Sequence, residues 1–221
     1  MTRGKIHAAD LGCDGGDLLS EVECFRNDRC ALLRPFLEEI VFGRLIANWV
    51  YGGFLAGLLL LFLTPVLVHA WPAPLVATFL CLPAYMIHQY EEHDNDRFRL
   101  YVNQKIGRDA LSPLAVFVIN VPGVWGTVGI SLALAASLRV GFGLIAMYLL
   151  VLNGAIHVIQ AVVAREYNPG LGTAVALFVP LGGYGIACIQ QAGGGSLLMH
   201  LTGALVAIGI HVAIIVHVLR K

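Results

Sequence analysis

A cluster of ionisable residues follows a long apolar run in this sequence. The run covers residues 73–87 and leads into His88-Gln89-Tyr90-Glu91-Glu92-His93. A helix turns by about 100° per residue, so Glu91 and Glu92 flank His88 on one helical face. Ionisable side chains at membrane depth are costly and usually mark a functional site. The hexapeptide is therefore the first candidate for the chemistry of the protein, while His93, at its end, is expected to face the lipid headgroups.

Two further stretches are expected to place polar side chains at a similar depth. Asn153 and His157 are four residues apart and therefore share one helical face. His157 and His211 each lie about 12 Å from the cytoplasmic end of their predicted helices, at about 1.5 Å per residue. We predict that His157 joins the hexapeptide around one centre, with His211 as a possible further ligand and Asn153 supporting the site.

Composition indicates which elements must position these residues. Of the 221 residues, 58% are hydrophobic and only 13% are charged, whereas soluble chains are about a quarter charged. The formal net charge is zero, which argues against a nucleic-acid partner because such proteins carry a basic excess. The sequence thus predicts an all-α, polytopic integral membrane helix bundle.

The apolar residues fall into runs of about 20 residues, the length that crosses a bilayer as a helix. Residues 1–44 are expected to form a loose polar cytoplasmic tail that ends in an amphipathic interfacial helix at 35–44. Residues 45–221 are expected to form a domain of six transmembrane helices. The expected spans are 45–69, 75–93, 112–138, 140–164, 171–191 and 197–219.

Basic residues predict the orientation of this bundle. With six spans, 13 of the 14 Lys and Arg residues fall on one side, and Arg139 alone falls opposite. By the positive-inside rule, both the N and the C terminus are expected to be cytoplasmic. The candidate site then lies near the cytoplasmic interface of the membrane.

The loop before the fifth expected span is predicted to be a type II turn. It reads Tyr167-Asn168-Pro169-Gly170, and Pro followed by Gly suits the two central positions of such a turn. The Tyr167 hydroxyl is expected to point at the Glu91–Glu92 carboxylates and to help shape the site.

Three motifs in this order resemble the HXXEE family of small bacterial integral membrane proteins. The resemblance covers the chain from the second expected span onward. It supports the choice of site residues, implies location in the bacterial inner (cytoplasmic) membrane, and leaves the reaction open. The motifs are His88-x-x-Glu91-Glu92, Asn153-x-x-x-His157, and Tyr167-x-Pro169-Gly170 followed by Thr173.

The first functional hypothesis is a metal-dependent enzyme. Histidine and carboxylate ligands suit a divalent metal such as zinc or iron, and helix bundles build such sites from inward-facing Glu and His. An open coordination position would let the metal activate water. A site at the interface would admit a lipophilic or amphipathic small molecule from the membrane lipid. The expected ligands are His88, Glu91, Glu92 and His157, with His211 as the further candidate.

The second hypothesis is acid–base chemistry without a metal. A buried carboxylic acid can act as a general acid, with Asn153 and Tyr167 orienting the Glu91–Glu92 pair. This looks like the small membrane isomerases and cyclases that protonate isoprenoid-like double bonds. Hydrolysis similar to that of glutamate-type intramembrane proteases is a variant, although Arg97 follows Glu92 one residue later than in their pattern.

The third hypothesis is a proton or cation transporter. Carboxylates and histidines at membrane depth form relays, and broken helices at Pro and Gly would suit transport. A path across the bilayer would also need polar residues in the outer half of the expected spans. The polar residues, however, are concentrated in the cytoplasmic half, and the outer half offers only His69 and His200.

Overall fold

The computed structural model describes the backbone of residues 18–220 and the side chains of residues 41–220, and all regular structure in that part of the chain is helical. Short 3₁₀ segments occur at Asp94–Asp96 and Val140–Gly143, and π-helical segments at Ile119–Trp125 and Ala174–Phe178. The α-helices are α1 (Leu18–Leu67), α2 (Ala73–His93), α3 (Arg97–Ile106), α4 (Pro113–Val118), α5 (Gly126–Ser137), α6 (Leu144–Ala164), α7 (Leu171–Thr173), α8 (Val179–Gln191) and α9 (Leu197–Arg220).

Five helical stretches in the described chain are long and apolar enough to cross a membrane. They are Val41–Leu67, Pro113–Ser137, Val140–Ala164, Leu171–Gln191 and Leu197–Arg220. This confirms an all-helical fold of the membrane type. Helix α2 is not among the five, because its polar hexapeptide lowers the mean hydropathy of its last turns. The sixth span and the cytoplasmic side of both termini remain predictions.

Packing divides the chain into two units, Met1–Leu45 and Ile46–Lys221. In the first unit the chain is helical from Leu18 onward. Part of the predicted loose tail is thus helical, because α1 begins well before the first apolar run. Residues 1–17, and the side chains of the tail and of most of the predicted interfacial helix, lie outside the described residues.

Helix α6 is central to the second unit. It packs against α2, α5, α8 and α9, and half of its most apolar stretch is buried inside the protein. Leu144, Met147 and Leu150 are fully buried on it. His157, which also lies on this helix, is 4% exposed and is therefore held in a close-packed environment.

The two π-helical segments lie where proline interrupts a span. Pro122 lies inside the first segment, and Pro180 lies in the first turn of α8, which directly follows the second. Proline has no N–H and cannot continue the regular helical ladder, and π-helical turns are frequent at functional sites. In this protein they place Asn120 and Phe178 among the buried side chains.

Candidate metal site

Three buried side chains from two helices converge at the cytoplasmic end predicted for the bundle. His88 and Glu92 come from α2, and His157 comes from α6. One ligand atom from each lies within 4.8 Å of the other two. The three residues are only 0%, 6% and 4% exposed, respectively. The predicted meeting of the hexapeptide with His157 is therefore present in the structure.

The distances within this group suit a metal ion. Glu92 Oε2 lies 3.5 Å from His88 Nε2, and Glu92 Oε1 lies 3.5 Å from His157 Nε2. A tetrahedral ion with bonds of about 2.0–2.2 Å holds its ligand atoms about 3.3–3.6 Å apart. Each histidine nitrogen thus lies at such a spacing from one oxygen of the Glu92 carboxylate, and the ligand atoms of the three residues lie within 4.8 Å of one another.

Asn168 fixes the orientation of the His157 ring. Asn168 Nδ2 donates to the His157 carbonyl oxygen over 2.8 Å, so Asn168 Oδ1 is the atom that faces His157 Nδ1, at 2.6 Å. An amide oxygen only accepts, so His157 carries a proton on Nδ1. This leaves the lone pair of a neutral imidazole on Nε2, directed at Glu92, as in ligand histidines whose second nitrogen is hydrogen-bonded.

Thr173 has the same effect on the His88 ring. The Thr173 hydroxyl donates its single proton to Glu91 Oε2 over 2.5 Å. It must therefore accept at His88 Nδ1, which lies 2.9 Å away. His88 thus also carries its proton on Nδ1 and presents an Nε2 lone pair to Glu92, and this atom is buried with no hydrogen-bond partner among the described residues.

When both imidazoles are neutral, their Nε2 lone pairs therefore face the Glu92 carboxylate. Acceptors that face each other in a buried place are unfavourable unless a positive charge lies between them. A metal ion or a shared proton would satisfy all three groups. The donor set fits zinc or iron by its chemistry.

Glu91 makes a different set of contacts from Glu92. Its carboxylate accepts from the backbone N–H groups of Gly172 (3.0 Å) and Thr173 (2.6 Å), and from the Tyr167 hydroxyl (2.6 Å). Those N–H groups belong to the first turn of α7, where helices favour an anionic partner. Glu91 thus ties the end of α2 to the start of α7, and it lies outside the three-residue group.

The loop between α6 and α7 forms the predicted type II turn. Leu171 N donates to the Asn168 oxygen over 3.1 Å, and Gly170 has φ +97° and ψ −10°. A Cβ atom added to Gly170 would lie 2.8 Å from His88 Cε1 and 2.9 Å from His157 Cε1. The backbone of this turn therefore lies directly against both imidazoles, and glycine is required for both its φ and its close approach.

The turn also contains the one predicted site residue outside the spans. Burial and the hydrogen bond to the Glu91 carboxylate raise the pKa of the Tyr167 hydroxyl, so the group remains a proton donor at neutral pH. Tyr167 is nevertheless 55% exposed. Its hydroxyl points at the Glu91 carboxylate, to which it donates over 2.6 Å.

The remaining predicted residues lie around the group. His211 Nδ1 donates to the Ala207 carbonyl over 2.8 Å, and His211 interacts electrostatically with Glu92 and His157. Asn153 Oδ1 is buried without a hydrogen-bond partner in the described part of the chain. The three-residue group includes neither His211 nor Asn153.

His93 does not face the headgroups as expected. It is 5% exposed, and its Nε2 lies 3.0 Å from Glu92 Oε2 and 3.2 Å from Asn120 Nδ2. Helix α2 continues to His93, and its last turn is covered by Trp49, whose ring centroid lies 5.4 Å from the imidazole. Covering by an aromatic ring and by the π-helical segment explains why the end of the helix is buried.

A chain of hydrogen bonds supports His93 from the third predicted span. The Trp125 indole donates to Gln89 Oε1 over 2.6 Å, and Gln89 Nε2 donates to Asn120 Oδ1 over 2.9 Å. Asn120 Nδ2 then lies beside His93. An indole N–H only donates, so the Gln89 oxygen must face Trp125. The orientations of the Gln89 and Asn120 side-chain amides are thereby fixed.

Sequence reasoning missed Asn168 and Thr173 as orienting residues. Both lie in the segment of the third motif, which predicted the turn but did not predict that their side chains would contact His157 and His88. The available signal was that a short polar loop returns to the membrane directly after the helix of His157. Such a loop must lie beside the last turns of that helix.

These features define a helical membrane protein with a buried His–Glu–His group under a proline–glycine turn. Residues 79–185 match the family described as "Protein of unknown function with HXXEE motif", as the motifs predicted. No curated protein and no solved structure matches the chain.

Proposed function

We propose that the protein is a membrane-embedded metal-dependent enzyme that acts on a lipophilic or amphipathic substrate at the cytoplasmic interface of a bacterial inner membrane. The observation that supports this most is the pair of histidines with fixed tautomers. Asn168 and Thr173 hold the Nδ1 protons of His157 and His88, so that both Nε2 lone pairs meet the Glu92 carboxylate.

In this proposal His88, Glu92 and His157 hold one divalent ion, zinc or iron. With three protein ligands and an open position, such an ion activates water or polarises a carbonyl group. The protein itself orients the ligands through Asn168 and Thr173 and excludes bulk water by burial. The turn at Gly170 closes one side, so the substrate has to enter from another.

Metal content tests the proposal directly. Purified protein in lipid nanodiscs should contain about one zinc or iron ion per chain, and Glu92→Gln and His157→Ala should each lose it. Chelation should lower the melting temperature of the parent, since a ligand that binds only the folded state stabilises it. Glu91→Gln is the companion variant: it removes the carboxylate that accepts from Thr173 and not a proposed ligand, so it should retain the ion at reduced affinity.

A second candidate is metal-free acid–base catalysis, as in an isomerase or cyclase. It is favoured by the Glu92 Oε2–His93 Nε2 distance of 3.0 Å, which suits proton transfer between the two groups. Glu91, with its carboxylate bound by several donors, is then a positioning residue. If the parent protein contains no stoichiometric metal and its melting temperature does not change when a chelator is added, the metal proposal is refuted and this one is favoured.

A further inference from the structure

A groove lies between α4 and α9 on the surface of the bundle. Its volume is about 230 Å³, and since a water molecule takes up about 30 Å³ of liquid, the groove has room for several heavy atoms. All of its lining residues are apolar except one histidine. They are Ala115, Val118 and Ile119 of α4 and Ala213, Ile214 and His217 of α9.

The groove opens toward the lipid. Both of its helices belong to stretches that are long and apolar enough to cross a membrane. Val118 in the groove is 49% exposed, and Val212 and Ile215 beside it on α9 are 50% and 52% exposed. An apolar surface at membrane depth meets hydrocarbon, and an acyl chain in such a groove gains van der Waals contacts along both helices.

One end of the groove lies beside an arginine. Helix α4 begins where α9 ends, because Val116 and Val218 belong to one buried cluster. Arg108 Nη2 donates to the Leu219 carbonyl oxygen over 2.7 Å. Leu219 follows His217 by two residues, about 3 Å along the helix. The guanidinium group of Arg108 therefore lies at the His217 end of the groove.

This end of the groove carries uncompensated positive charge. Arg220 follows Leu219 directly, and both Arg220 and Arg108 are exposed. The neighbouring carboxylate, Asp109, accepts from Asn103 over 3.3 Å and interacts with Arg99. In the described part of the chain neither Arg108 nor Arg220 forms an ion pair. Basic residues at the end of a membrane span attract the head groups of anionic lipids.

We propose that the groove between α4 and α9 binds an anionic phospholipid. One acyl chain lies along the apolar lining, and the phosphate lies against Arg108 and Arg220, since guanidinium groups bind phosphate oxygens through charge-assisted hydrogen bonds. A zwitterionic lipid offers the same chains but no net negative charge, so it binds more weakly. The lining includes none of the proposed metal ligands, and the lipid site is therefore independent of the proposed function.

The test is native mass spectrometry of the full-length protein in detergent, titrated with dimyristoyl phosphatidylglycerol or dimyristoyl phosphatidylcholine. The parent should bind phosphatidylglycerol at least about tenfold more tightly. Arg108→Gln and Arg220→Gln should each weaken that binding about fivefold and leave phosphatidylcholine binding unchanged. The Arg220 variant tests the charge without removing the Arg108–Leu219 hydrogen bond. Arg139→Gln is the matched control, because it removes one positive charge at the opposite end of the bundle and should have no effect.

Filling the groove gives a second, charge-independent readout. Ala213 is exposed in the groove, and Ala213→Phe places a ring there, so it should weaken the binding of both lipids at least about fivefold. Ala136→Phe is its control, since Ala136 is exposed on α5 outside the groove. The proposal would be overturned if the parent bound both lipids equally, if Arg139→Gln weakened binding as much as Arg108→Gln, or if Ala213→Phe bound lipid like the parent. A lipid-free parent dimer that Ala213→Phe dissociates would overturn it too, because a second copy would then fill the groove.

Discussion

Replacing Gly170 with alanine tests whether the turn controls the geometry of the proposed metal site. The new methyl group would lie 2.8 Å from His88 Cε1 and 2.9 Å from His157 Cε1. A positive φ costs a non-glycine residue roughly 1–2 kcal/mol, and overpacking costs roughly 1–3 kcal/mol more. We expect Gly170→Ala to lower the free energy of unfolding by about 2–5 kcal/mol.

The same clash should displace the two imidazoles from their ligand positions. Disturbing groups that orient metal ligands typically weakens binding about 10–100-fold, or about 1.4–2.8 kcal/mol. The assay is competition for zinc with a chromophoric chelator, measured beside chemical unfolding in the same detergent. The affinity loss distinguishes a local effect at the site from a general loss of stability.

Gly107→Ala is the matched control for this experiment. Gly107 also has a positive φ, +77°, but a Cβ atom there would meet nothing within 4 Å. It should lose roughly 1–2 kcal/mol from backbone strain alone and keep the zinc affinity of the parent. If Gly170→Ala matched Gly107→Ala in both stability and zinc affinity, the turn would not control the site.

Three further outcomes are expected. Glu91→Gln should destabilise the protein by roughly 1–3 kcal/mol in chemical unfolding, because a charged acceptor of several hydrogen bonds is lost, yet keep the metal that Glu92→Gln loses. Asn168→Ala leaves all three proposed ligands in place but should still weaken zinc binding about 10–100-fold. Undiminished affinity would show that His157 does not need Asn168 to fix its tautomer. Reporter fusions after Ala73 and Gly194 should read outside and a C-terminal fusion inside; an outside C terminus would contradict the six-span topology.

Helix positions could be predicted from sequence because they depend on local composition. The expected spans agree with the helical stretches to within a few residues, as for 140–164 and 171–191. A backbone in hydrocarbon must satisfy its own hydrogen bonds, so an apolar run of sufficient length becomes a helix almost regardless of its neighbours. The type II turn at Pro169-Gly170 could be predicted for the same reason, because it depends on the residue types at its own central positions.

The contrast between Glu91 and Glu92 could not be predicted in this way. Both flank His88 on one helical face, and spacing alone made both of them ligand candidates. One lies against His157, whereas the other accepts N–H groups from the start of α7. That choice depends on which neighbouring helix each carboxylate meets, and helical periodicity carries no information about neighbours.

The sequence by itself determined the class of the protein, its helices, its turn and the set of polar residues at one depth. Tertiary structure alone decided which of them meet, the burial of His93, and the orientation of both imidazoles by Asn168 and Thr173. The physical reason is range: helix formation and turns depend on residues a few positions apart, whereas hydrogen-bond partners 11 and 85 residues apart are set only when the helices pack.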